Sequence, residues 1–143
     1  LQELGYEVYL FEGPGQGSVI RTQGMHFTHE WEKPTKAVLD QLNLNNVTII
    51  GISLGGYLAP RAAAFDKRIS RVIAWSIFPC FLDVLIGGEN PAVQKMFHFL
   101  LKIKAKAIIN TIFNTLAKKE PVIDWGLKHG MYAYEADSAY GYA

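Results

Sequence analysis

Val47-Thr48-Ile49-Ile50-Gly51-Ile52-Ser53-Leu54-Gly55-Gly56 is the stretch that decides the fold. An apolar β-branched run leads into G-x-S-x-G, and a segment of helical period, Tyr57 to Phe65, follows. Strand, G-x-S-x-G and helix in that order form a nucleophile elbow, a sharp turn that lifts a serine hydroxyl above the C-terminal edge of a parallel sheet. Ser53 is the candidate nucleophile. Leu54, the next residue, offers a backbone N–H toward a developing oxyanion. Gly51 and Gly55 are read as the small residues that let strand and helix approach each other. The bare motif arises by chance in about one chain in twenty of this length, taking Gly and Ser near their average usage of about 7%. The flanking strand and helix are what make it specific, and the competing reading is a glycine-rich turn with a bystander serine.

Working outward, Glu7-Val8-Tyr9-Leu10-Phe11 reads as a short buried strand, broken by three glycines and a proline in Glu12-Gly13-Pro14-Gly15-Gln16-Gly17. Residues 18–30 show no clean period and read as a long loop. Pro34 suits the first turn of a helix with Ala37, Val38, Leu39 and Leu42 on its apolar face. Leu54, Tyr57, Leu58, Ala62 and Phe65 line the helix after the serine, which Pro60 is expected to kink. Arg71 to Phe78 reads as a further strand. Helix and strand alternate, so the expected class is α/β, a parallel doubly wound sheet.

The pattern changes at Pro79. Gly87-Gly88-Glu89-Asn90-Pro91 is a hinge-like break. One long helical segment is expected after it, with Phe97, Leu101, Ala105, Ile108, Ile112 and Leu116 as its apolar stripe. Pro121 opens another helix through Trp125, Leu127 and Met131. The organisation read from this is a partial sheet core over 1–78 and a helical cap or lid over 79–143.

Bulk properties narrow the classes. The chain has 143 residues, half of them hydrophobic, and a formal net charge of +1 with the signs interspersed. Disorder is excluded on that basis, and nothing in the charge argues for a nucleic-acid partner, so none is expected. Lys102, Lys104 and Lys106 interrupt the longest apolar stretch, so no membrane span is expected. Cys80 is the only cysteine. It reads as a buried small hydrophobe, fitting a reducing compartment and a cytoplasmic location. Leu1 to Leu4 reads as the last turn of a helix with Gly5 at its C-cap, and Asp137-Ser138-Ala139-Tyr140-Gly141-Tyr142-Ala143 as an end without a closing element. The chain is therefore expected to be an internal piece of a longer protein.

Other candidates have two readings each. Asp83 with His98 or His129 would satisfy the order Ser, acid, His, against a surface carboxylate and solvated histidines. His26 and His29 in the long loop are either substrate contacts or ordinary loop residues. Glu12 is a candidate substrate-binding residue with Gly13 and Tyr57, or a structural carboxylate accepting N–H bonds from the glycine-rich turn. That turn lacks the Gly-Lys-Ser/Thr of a phosphate loop. No metal and no cofactor is implied, and an oligomer is possible.

Together, Glu12 to Gly17 (EGPGQG), Trp31 to Pro34 (WEKP), Gly51 to Ile69 (GISLGGYLAPRAAAFDKRI) and Trp125 to Tyr132 (WGLKHGMY) resemble the α/β-hydrolase superfamily. The closer likeness is to its FrsA-like and pseudo-oxynicotine-hydrolase-like branch, which bears a helical cap. The resemblance implies Ser53 as nucleophile, with an acid and then a histidine beyond Ala143, and a second oxyanion donor upstream of Leu1. It implies hydrolysis of an ester, thioester, amide or activated C–C bond in a small to medium, partly apolar molecule. The alternative is an elbow-bearing scaffold that binds a ligand or protein without turnover.

Overall fold

The computed structural model describes residues 1–77, 86 and 90–142. Asp83, Cys80 and most of the hinge-like break lie outside the described residues. The elements are α1 (Gly17–Gln23), α2 (Glu32–Gln41), β1 (Val47–Ile52), α3 (Gly55–Phe65), β2 (Ile69–Trp75), α4 (Pro91–Lys102), α5 (Lys106–Ala117), α6 (Pro121–Tyr134) and α7 (Ala139–Tyr142), after a 3-10 turn at Gln2–Leu4. Gly5 ends that turn in the left-handed region at φ 81° and donates its N–H to the Gln2 carbonyl, as its place in the sequence predicts.

β1 and β2 pair in parallel, Ile50 beside Ile73 and Ile52 beside Trp75, and α3 is the connection between them. Side chains alternate across a strand, so Gly51 faces α3 and its neighbours Ile50 and Ile52 face the other way. That outer face is bare: Ile52 is 65% exposed and Trp75 71%. Among the described residues helix covers one face of the sheet, which is α/β and parallel but not doubly wound. The core lies on the covered face, where Leu58 and Ala62 of α3 meet Trp31, Leu39 and Ile69. Full burial of a side chain such as Leu58 contributes about 1.5–3 kcal/mol.

Several sequence expectations need correction. Glu7–Phe11 forms no strand, and Leu10 is 94% exposed. β-propensity yields a strand only where a neighbour accepts the backbone hydrogen bonds, and among the described residues β1 and β2 pair only with each other. The stretch read as a loop holds α1, whose left-handed cap at Gly24 ends it after seven residues. In α2 the buried face is Trp31, Thr35 and Leu39, while Ala37 and Leu42 are exposed. α3 does hold Pro60 inside one helix, as the sequence places it.

The long helix is two helices. Lys104, in the left-handed region at φ 55°, turns the chain, and the Lys104 and Ala105 N–H groups cap the Leu101 and Leu100 carbonyls. The break rotates the buried face from Leu101, Ala105 and Ile108 onto Phe97, Leu100 and Ile109. Phe97 and Phe113 then meet across the α4–α5 pair, ring centroids 5.6 Å apart. Ala139–Tyr142 does close into a short helix, held by the Tyr140 N–H donating to Asn110 Oδ1 at 2.9 Å.

Two aromatic contacts join the helical part to the core. Phe27 stacks on Trp31 at 5.7 Å and on Tyr134 of α6 at 4.4 Å. Its N–H donates to the Ala133 carbonyl at 2.7 Å, and His26 Nδ1 lies 3.1 Å from the Tyr132 carbonyl.

Candidate functional site

β1 delivers Ser53 to the end of the sheet, and the backbone there turns sharply. Ser53 has φ 55°, in the left-handed region that a serine rarely occupies. Such a conformation costs about 1–3 kcal/mol and persists only where its surroundings hold it. Here the Ser53 N–H donates to the Trp75 carbonyl at 2.9 Å, and the Ser53 carbonyl accepts from the Gly56 N–H at 2.8 Å. The first bond fixes the turn to the end of β2 and the second starts α3.

Close approach of strand and helix makes this turn possible. A Cβ at Gly51 would run into the Gly55 carbonyl, and one at Gly56 into the Ser76 carbonyl. A Cβ at Gly55 would meet open space. The second indispensable small residue is therefore Gly56 rather than Gly55. The sequence contained both, and only the packing tells them apart.

Ser53 is exposed and lines a cleft of about 290 Å³ with Phe11, Gln16 and Leu54. The Leu54 N–H opens α3, among the helix-start amides for which a helix has no internal acceptor. Ser53 Oγ has no hydrogen-bond partner among the described residues. The histidines are placed elsewhere: His26 against Tyr132, His29 exposed before α2 with its carbonyl accepting the Trp31 N–H, His98 on α4, and His129 on α6, stacked on Trp125 at 5.2 Å.

Glu12 accepts hydrogen bonds from the Ser18 N–H (2.8 Å) and Oγ (2.9 Å). These bonds hold its carboxyl below the usual carboxylate range. It thus caps α1, and a Cβ at Gly17 would collide with its carboxylate. Gly13 is buried against the Trp31 indole, and its N–H donates to Gln16 Oε1 at 3.1 Å. Tyr57 packs on the core cluster one turn after Ser53.

A larger chamber of about 880 Å³ opens beside the cleft, between α4, α5, α6 and α7 and the loop at Gly15–Gly17. Its walls are chiefly apolar, with rings from Phe27, Phe97, Phe113, Tyr134 and Tyr142. Gln16 and Leu54 line both spaces. Burial pushes the Tyr134 and Tyr142 hydroxyls up from their ordinary values. Sequence reasoning missed Gln16, Phe27, Tyr134 and Tyr142. Glycines around Gln16 drew attention to its loop, but no periodicity links Phe27 to Tyr134.

This chain is similar to proteins named as hydrolases. It is 33% identical over 144 residues to the alpha/beta hydrolase psoB of Aspergillus fumigatus, an alignment covering 92% of this chain and 32% of that protein. It is 32% identical over 144 residues to the hydrolase acrC of Aspergillus aculeatus, covering 94% and 33%. The hydrolyase poxO of Penicillium oxalicum is 39% identical over 103 residues, covering 64% and 24%. The chain spans about a third of the length of the first two of these relatives. No family model matches the chain. No solved structure matches it significantly. Among the described residues no helix is long and apolar enough to cross a membrane.

Proposed function

We propose that the chain carries the nucleophile-bearing part of a serine hydrolase of the α/β-hydrolase type, in the cap-bearing branch its motifs resemble. The observation that carries this reading is the strained, exposed Ser53 at the strand-to-helix turn, above a cleft, with a helix-start N–H beside it. Ser53 Oγ attacks the carbonyl carbon of an ester, thioester, amide or activated ketone. Its proton passes to a histidine, which gives it to the leaving group as the acyl-serine forms; a water deprotonated by the same histidine then breaks the acyl–Oγ bond, releasing the acid and restoring Ser53, and a carboxylate orients the histidine throughout. The Leu54 N–H stabilises the oxyanion as it forms. We place the histidine, the carboxylate and the second oxyanion donor in parts of the protein outside this segment. Glu12 and Gly13 act by fixing the loop that borders the cleft, and Tyr57 by bracing the first turn of α3.

The test is Ser53→Ala in the intact protein, assayed on an activated ester. Turnover should fall by about 10³-fold or more, the scale of losing a triad member, with the fold unchanged. Near-full activity in the variant would remove Ser53 from the mechanism. One observation favours a second reading, a ligand-binding scaffold without turnover: no histidine partners Ser53 Oγ among the described residues. In that case the Ala variant would match wild type in an assay where neither exceeds background.

A further inference from the structure

We propose that the chamber between the helices holds the aromatic or polycyclic body of the ligand, and that the Gln16 side-chain amide fixes its polar linkage at the passage to Ser53. The chamber's part stands on its own geometry; the passage to Ser53 rests on the reading of that residue as nucleophile.

Three observations carry this. First, about 880 Å³ falls within the range of roughly 300–1,000 Å³ typical of small-molecule sites, which combine apolar walls with a few placed polar groups. A peptide or second protein chain would instead need an extended groove or a large flat patch. Second, the walls present aromatic rings from α4, α5, α6 and α7, and rings favour stacked or edge-on partners. Tyr142 is held in its wall by Gly130, where a Cβ would strike the ring. Third, Gln16 borders both spaces, and one end of its amide is already committed. Its Oε1 accepts the Gly13 N–H, which leaves the two Nε2 donors with no acceptor among the described residues. A half-buried amide so fixed is a preset donor for a carbonyl or ether oxygen passing between chamber and cleft.

The experiment titrates the intact protein carrying Ser53→Ala with 2-naphthyl acetate, an uncharged aromatic ester, and maps backbone amide shifts by NMR. Shifts should concentrate at Leu54, Gly126, Gly130 and Ala133. Leu116→Trp, which fills the chamber from a partly exposed position, should weaken binding at least tenfold with helicity unchanged. Gln16→Glu keeps the acceptor for Gly13 and removes both donors. It should weaken binding about tenfold while the Gly13 N–H stays hydrogen-bonded, read as unchanged protection from hydrogen exchange. Shifts gathered on the bare sheet face at Ile52 and Trp75, or wild-type affinity in Leu116→Trp, would overturn the chamber; wild-type affinity in Gln16→Glu would overturn its donor. The two readings fail separately. Chamber binding without wild-type turnover would remove the nucleophile and leave the site. Ser53-dependent turnover with an unchanged KM in Leu116→Trp would do the reverse.

Discussion

The sheet half and the helical half of this chain are organised on opposite principles. In the first, backbone meets backbone: β1 touches α3 through Gly51, α3 touches the end of β2 through Gly56, and the strained turn at Ser53 is pinned by hydrogen bonds to Trp75 and Gly56. In the second, side chains meet side chains. α4 to α7 are held by Phe97 on Phe113, Tyr142 on Tyr134, and Phe27 reaching over from the other half. Backbone contact yields a rigid point where one serine can be held off its preferred conformation. Ring contact yields a lined space. The proposed site, which would place one reactive atom and also accept a bulky ligand, draws on both.

The difference can be broken at its ends. Gly51→Val should have the largest effect on stability, about 3 kcal/mol or more, because its side chain would meet the Gly55 carbonyl and Ala59 rather than a movable group. Chemical denaturation reads this directly. Phe27→Ala should cost somewhat less, about 2–3 kcal/mol, since Phe27 is half-buried but stacks on two rings. Its signature is spatial: limited proteolysis should speed up within α6 before β1 or α3 is cut. Gly126→Ala lies inside α6 with nothing within reach of the added methyl, so it should stabilise by about 0.5–1 kcal/mol.

The smallest effect belongs to the sheet half alone. Arg68 hydrogen-bonds Asp66 at 2.6 Å and holds its carboxyl down at about 2, from an ordinary value of 3.8. A carboxylate depressed on folding contributes stability that is present above the unfolded value and is lost as pH falls. Stability should therefore decline from about pH 4 through about pH 2, and Asp66→Asn should flatten that slope in acid titrations followed by circular dichroism. Both side chains reach solvent, so added salt should shrink the effect.

The two halves also differ in how legible they were. β1, the serine turn, α3 and β2 could be placed from sequence because each is set by neighbours in the chain: β-branched residues, then small residues, then helical period. Glu7–Phe11 misled because its β-rich composition says nothing about whether a partner strand lies alongside. α4 and α5 merged into one helix because Phe97 to Leu116 keeps helical spacing through Lys104, and a left-handed lysine leaves no mark in composition. At the site, Ser53 and Leu54 were legible from the motif. Gln16 and the ring-lined chamber were not, since they arise where α6, some 100 residues after the Gly15–Gly17 loop, comes back beside it.

The most direct measurement is covalent. Intact protein treated with a fluorophosphonate should gain one adduct, mapped by peptide mass spectrometry to Ser53 and missing from Ser53→Ala, because only an activated serine reacts at an appreciable rate. An unlabelled protein, or an adduct on any other residue, would contradict the account.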